Sequence, residues 1–147
     1  RRLLPSLLRF PGLVKRDRRC AEFCLELMEF VGVARWRDTP AASMPYGALK
    51  RLEVARALAA KPKLLLLDEP AAGLNDTETR EIDEDIKKIA DQWVTVVLVE
   101  LDLKVVMGIS DHVLVLDYGR KLAEGTPAQV RANPLVVEAY LGAAHAS

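Results

Sequence analysis

Residues 64–75, Leu-Leu-Leu-Leu-Asp-Glu-Pro-Ala-Ala-Gly-Leu-Asn, contain the side chains best suited to chemistry: two adjacent carboxylates, Asp68 and Glu69, behind an apolar run. Four leucines are too apolar for a surface and too few for a membrane, so they read as a buried strand of a parallel sheet, ended by Pro70. The carboxyl ends of such strands are where open α/β sheets bind their ligands. Adjacent acids there suit two tasks. One holds Mg²⁺, and the other orients or deprotonates an attacking water. The plain alternative is a pair of exposed acids in an ordinary turn.

A second segment, Ser43-Met44-Pro45-Tyr46-Gly47-Ala48-Leu49-Lys50-Arg51, places two cations in the first turn of a helix opened by Gly47. Cations are disfavoured there, because the helix macrodipole is already positive at its N-terminus. The cost is recovered if the tip faces an anion such as phosphate. Two solvated basic side chains are the alternative.

The elements that must position these groups follow from periodicity and punctuation. Residues 1–16 alternate apolar pairs with Pro5, Pro11 and Gly12 and read as short helical turns or loop. Cys20, Cys24, Leu27, Met28 and Val31 keep helical spacing, which predicts a helix over 17–31. Residues 34–46 carry Ser43, Pro40 and Pro45 and read as loop; a helix over 47–60 stops before Pro62. After a strand at 64–67, Asn75 with Glu78 forms a capping-box pattern, and Ile82, Ile86 and Ile89 mark the buried face of the helix that follows. Strands are predicted over 94–99 and 112–116, with a short helix capped by Asp102 between them. Tyr118-Gly119 makes a tight turn into residues 120–124, and helices over 127–132 and 134–141 close the chain. Strand–helix alternation after residue 63 argues for an α/β fold with a parallel sheet. A small helical region, 1–60, precedes the α/β part, 61–147.

The 147 residues have a single domain's length, and half are hydrophobic. Basic and acidic residues balance at 21 each, so no global field points to nucleic acid. Basic charge is concentrated before residue 20, in Arg1, Arg2, Arg9, Lys15, Arg16, Arg18 and Arg19, a cluster suited to lipid headgroups, an acidic partner or plain solvation. No apolar stretch reaches membrane-helix length, and no signal-peptide pattern is present. Cys20 and Cys24 are expected to pack in the core of a reduced, cytosolic protein and to bind no metal. The chain starts at Arg1 without methionine, and the expectation is a piece of a longer protein.

Taken in order, a glycine-tipped helix, Ala55-Arg56-Ala57-Leu58, the leucine run with Asp68-Glu69-Pro70, and Gly73-Leu74-Asn75 resemble the ATP-binding cassette subunits of ABC transporters. Met44-Pro45-Tyr46-Gly47-Ala48 stands in the place of that family's signature, in a form most like the branched-chain amino-acid importers. Val106-Met107-Gly108-Ile109-Ser110-Asp111, Glu124-Gly125-Thr126-Pro127 and Ala139-Tyr140-Leu141-Gly142 extend the resemblance over 17–142. It implies the C-terminal portion of a P-loop NTPase of ABC type, with ATP and Mg²⁺ as ligands. Asp68 would be the Walker B carboxylate supporting Mg²⁺, and Glu69 the general base. Tyr46, Gly47 and Ala48 would meet the γ-phosphate of ATP held by a second cassette subunit. Asn75 would lie in the D-loop at that dimer interface. Transmembrane permease subunits would dock on residues 1–60, placing the protein at the cytoplasmic face of the inner membrane; no nucleic acid is involved.

Two departures accompany the resemblance. No Gly-x-x-x-x-Gly-Lys-[Ser/Thr] occurs anywhere, so the isolated chain is expected neither to bind ATP with ordinary affinity nor to hydrolyse it. Leu101 occupies the position of the family's switch histidine, in Glu100-Leu101-Asp102, and cannot donate a hydrogen bond to phosphate. Loss of one such donor costs about 3 kcal/mol in a transition state. His112 and His145 lie on other elements. A competing reading is therefore a non-catalytic cassette that completes an active partner's site. A DNA-repair or chromosome-organising ATPase is opposed by the neutral charge. In the family fold the phosphate-loop strand lies between those at 94–99 and 112–116, so its absence is expected to leave apolar edges unpaired.

Overall fold

The computed structural model describes residues 11–92 and 94–141. They fall into two compact units that divide between Val97 and Leu98, within the second strand.

The first unit opens with helix α1, Pro11–Phe30. It begins before the expected residue 17 and absorbs residues 11–16; residues 1–10 lie outside the described part. Pro11 explains the early start, since at the first helical position its fixed φ is already helical and its missing N–H is not needed. Gly32, at φ 68°, ends the helix. Its N–H reaches Glu29 O at 2.9 Å and that of Val33 reaches Met28 O at 2.7 Å, the paired bonds of a Schellman motif. Phe23, Leu27 and Phe30 turn inward to line a cavity of about 290 Å³ with Leu58, Ile89 and Val94.

Cys20 and Cys24 do not pack in the core. Both are exposed, offset around α1 from the aromatic stripe that takes the inward face. Slight desolvation and then the neighbouring Cys20 push the Cys24 thiol up.

Between α1 and α2 the expected loop is present but carries two short 3₁₀ turns, Ala34–Trp36 and Ala41–Ser43. Helix α2 runs Tyr46–Leu58, strand β1 Leu64–Asp68, helix α3 Asp76–Asp91 and strand β2 Thr95–Val99. β1 and β2 are hydrogen-bonded neighbours in a parallel two-stranded sheet joined through α3. The core of this unit is Val31, Val33, Val54, Ala55, Leu65, Ile82, Ile86 and Ile89. The three isoleucines keep the predicted helical spacing. Opposite faces of the strands are open: Leu64, Leu66, Val97 and Val99 are exposed while Leu65 is buried.

A polar clamp joins α2 to α3. Arg51 places Nε 2.8 Å from Asp85 Oδ2 and Nη1 2.7 Å from Glu81 Oε2, and Lys88 Nζ lies 3.3 Å from Asp85 Oδ1. Asp85 is buried with 1% of its surface exposed, so the two cations and the hydrogen bonds offset its desolvation.

The second unit contains helix α4 Leu103–Ile109, strands β3 Val113–Asp117 and β4 Arg120–Gly125, and helices α5 Pro127–Arg131 and α6 Pro134–Leu141. β3 and β4 pair antiparallel from Val113↔Gly125 to Asp117↔Arg120, with a bulge between Val115 and Leu116. Tyr118 and Gly119, at φ 44° and 77°, form the turn, as a two-residue hairpin with two left-handed positions requires. Thr126 and Gln129 make a reciprocal capping box at α5. Val113, Val115, Ala123, Val130 and Val136 form the core of this unit.

Candidate functional site

Strand β1 delivers Asp68 exposed at its carboxyl end, while Pro70 is buried behind it. Between them Glu69 adopts φ 44°. A left-handed conformation in a side chain of this kind costs on the order of 1 kcal/mol, and such strain concentrates at functional sites. The turn takes Glu69 out of the strand's alternation, half-buried beside its exposed neighbour.

Two further turns carry the chain to α3: Ala72 N–H donates to Glu69 O at 3.1 Å, and Leu74 N–H to Ala71 O at 3.1 Å. Gly73, at φ 78°, makes this path possible. Asn75 then caps α3. Its Oδ1 accepts from Thr77 N–H and Glu78 N–H, both at 3.0 Å, while Glu78 Oε2 accepts from Asn75 N–H at 3.2 Å.

The tip of α2 packs on this loop. Tyr46 Oη donates to Ala72 O at 3.3 Å. Its ring lies so close that a Cβ added at Gly73 would stand 3.3 Å from Cε1. Gly47 is buried, and a Cβ there would run into the Glu78 carboxylate. Ala48 is half-buried in the same turn. Tyr46, Gly47, Ala48 and Asn75 therefore come together, in company with Glu78.

The two cations of this helix part ways. Lys50 sets Nζ 5.7 Å from the Tyr46 ring centroid, a cation–π contact at the tip. Arg51 is committed to Asp85 and Glu81, so it serves packing and not an external anion.

Leu101 is 70% exposed, in the second unit. His112 is occupied on the β3–β4 hairpin, with Nε2 3.1 Å from Glu124 Oε1, and Lys121 Nζ lies 3.0 Å from Glu124 Oε2. These two partners, His112 first, hold the Glu124 carboxyl below its usual range. His145 lies outside the described residues.

Among the described residues no three His, Cys, Asp or Glu side chains are grouped to cage a metal ion. A single exposed carboxylate such as Asp68 suits Mg²⁺, which keeps several waters and takes one or two carboxylates together with phosphate oxygens. Sequence reasoning found the Asn75–Glu78 cap but missed that Glu78 also fills the space beside Gly47. It missed the Arg51–Asp85 pair as well. Neither contact has a local signature.

Residues 7–72 match the family model described as ABC transporter, and residues 120–146 match that of the branched-chain amino acid ATP-binding cassette transporter. The chain is 42% identical over 142 residues to the high-affinity branched-chain amino acid transport ATP-binding protein BraF of Pseudomonas aeruginosa, covering 96% of this chain and 56% of that protein. It is 41% identical over 143 residues to LivG of Escherichia coli, another high-affinity branched-chain amino acid transport ATP-binding protein, covering 97% and 56%. The chain is thus similar, along nearly its whole length, to ATP-binding cassette subunits of ABC transporters. The fold agrees: a crystal structure of an ATP-binding cassette of an ABC transporter in its ADP conformation superposes with a TM-score of 0.77 at 29% identity, over 84% of this chain and 50% of that one. The chain thus spans about half the length of the cassettes it matches. ABC cassettes bind ATP with Mg²⁺ as a family, and the acid pair at the end of β1 is of a kind that serves such a ligand.

Proposed function

We propose that this chain is part of an ATP-binding subunit that couples ATP binding and hydrolysis to import of branched-chain amino acids or a related solute. The observation that carries the reading is the assembly, in one unit, of the Asp68–Glu69 pair, the Asn75 loop and the Gly47 tip of α2. Its support in sequence is the relationship to BraF and LivG, whose names specify that solute class.

In this reading Asp68 would hold Mg²⁺ at the end of β1, and the ion would neutralise charge on the bound phosphates. Glu69, lifted out of the strand by its left-handed backbone, accepts the proton of the water that attacks the γ-phosphate. Tyr46, Gly47 and Ala48 present the positive end of α2 to the γ-phosphate of ATP bound by a second cassette, and Asn75 lies at the interface between the two. Residues 1–60 receive transmembrane permease subunits, and 61–147 belong to the catalytic core. Among the described residues no helix is long and apolar enough to cross a membrane, which fits attachment through those partners at its cytoplasmic face.

The test is ATP turnover and amino-acid uptake by the full-length protein assembled with its permease. Glu69→Gln should lower turnover by about 10²–10⁴ while leaving ATP binding intact. Unchanged turnover would remove Glu69 from the mechanism. The isolated chain, which has no Gly-x-x-x-x-Gly-Lys-[Ser/Thr], should show no micromolar nucleotide affinity.

Leu101 favours a second reading, a cassette that pairs with an active partner and contributes its α2 tip without hydrolysing ATP itself. Leu101→His separates the two. A gain of tenfold or more in turnover indicates a slowed ATPase limited at this position, and no gain shows that the position is not limiting.

A further inference from the structure

We infer that Glu78, with Tyr46, is a positioning residue that latches the tip of α2 to the loop 71–75. The latch makes the two segments answer as one body to a ligand at either. The ligand assumed for the tip, a nucleotide phosphate, rests on the function proposed above; the latch itself does not.

Three contacts build it. Gly47 is buried, and the volume a Cβ would occupy is filled by the far end of Glu78: Cδ would lie 2.7 Å from that Cβ and Cγ 3.1 Å, with Oε1 closer still. The other carboxylate oxygen, Oε2, accepts from Asn75 N–H at 3.2 Å. One side chain therefore touches the helix tip with one oxygen and caps α3 with the other. In the third contact Tyr46 Oη donates to Ala72 O at 3.3 Å and the ring lies against Gly73.

Glycine at position 47 thus answers to a neighbour within the same chain as well as to any phosphate outside it. An alanine there leaves the helix backbone undisturbed, since Glu78 is flexible and can swing away. In swinging away it releases Asn75 N–H and so undoes the Glu78 half of the capping box, leaving the Asn75 side chain on Thr77 and Glu78 N–H. The same geometry works in reverse: movement of loop 71–75 draws on Tyr46 through Ala72, and so on the tip.

Hydrogen exchange on the nucleotide-free full-length protein tests the latch without reference to turnover. Gly47→Ala should speed exchange of the Asn75 amide about fivefold, the loss of one half of a capping box. Glu78→Ala should do the same, and the double variant should be no faster than Glu78→Ala alone, as expected of groups acting through one contact. An Asn75 amide unmoved in Gly47→Ala, or a double variant equal to the product of the singles, would overturn the inference. Should Gly47→Ala fail to fold, Tyr46→Phe keeps the test open: amides 72–74 should exchange faster, and no change there counts against the latch.

ATP·Mg²⁺ then supplies a readout that a merely structural cap would not move. Added nucleotide should protect residues 46–50 and 72–78 together in the wild type. In Glu78→Ala it should protect 46–50 only, and Glu78→Gln, which keeps the capping geometry, should restore both. Joint protection persisting in Glu78→Ala refutes the coupling. Absence of protection everywhere refutes the nucleotide reading, while the exchange cycle still decides the latch.

Discussion

Glu69 pairs a carboxylate proposed as the general base with a backbone at φ 44°. Asparagine tolerates that region better than glutamate does, and lacks the base. Glu69→Asn should therefore melt at the wild-type temperature or slightly above it, while a full-length protein carrying it loses turnover. A clear fall in melting temperature would show that the side chain is held for stability. Elsewhere a single residue sets a pH response. Glu124 is held below its ordinary range by His112 first and by Lys121 second. A carboxyl depressed in the folded state adds stability above its unfolded pKa and loses that contribution as pH falls through the folded value. His112→Ala should raise the Glu124 titration midpoint toward the ordinary value of 4.5 and shrink this loss at acid pH, as a side-chain NMR titration would record.

Helix α3 is the element on which the first unit turns, because its N-terminus caps the site loop and its middle carries Asp85. Replacing Asp85 by Ala leaves Arg51, itself largely buried, without its deepest partner. Breaking a buried pair in this way costs about 3–5 kcal/mol, against about 1 kcal/mol for losing the Asn75 cap through Asn75→Ala. A denaturant series should rank the two variants in that order, and the reverse ranking would mean that the clamp is solvated in solution. The same helix shows what the sequence made legible. Asn75 with Glu78 and the Ile82, Ile86, Ile89 spacing are local signals, and both were readable before any coordinates. The strand at β1 and the turn at Tyr118-Gly119 were readable for the same reason, whereas the antiparallel pairing of β3 with β4 in a sheet of their own was not. The Arg51–Asp85 pair and the Gly47–Glu78 contact join residues about thirty apart, so only packing reveals them. Cys20 and Cys24 failed differently. Helical spacing gave their direction relative to each other, but α1 had richer apolar candidates for the inward face in Phe23, Leu27 and Phe30.

At the scale of the whole chain, the open strand faces govern behaviour in solution. In the first unit Leu64 and Leu66 on β1 are 51% and 69% exposed, and Val97 on β2 is 47% exposed. In the second, Leu114 and Leu116 on β3 stand at 53% and 54%. Leu64 with Leu66 and Leu114 with Leu116 each stand two apart on one strand, so each of these strands carries an exposed apolar stripe. The net charge of zero supplies no repulsion to keep copies apart. The isolated 147-residue chain should therefore self-associate as its concentration rises, measured by sedimentation velocity at neutral pH. Leu66→Lys with Leu116→Lys should move the population toward monomer, because each change puts a charge in the middle of a stripe at a position the core does not use. A wild-type chain that stays monomeric and melts cooperatively would mean that these faces are covered in solution. A charged variant that associates as strongly as the wild type would place the sticky surface elsewhere, with the cavity edged by Phe23, Phe30 and Leu58 as the next to examine.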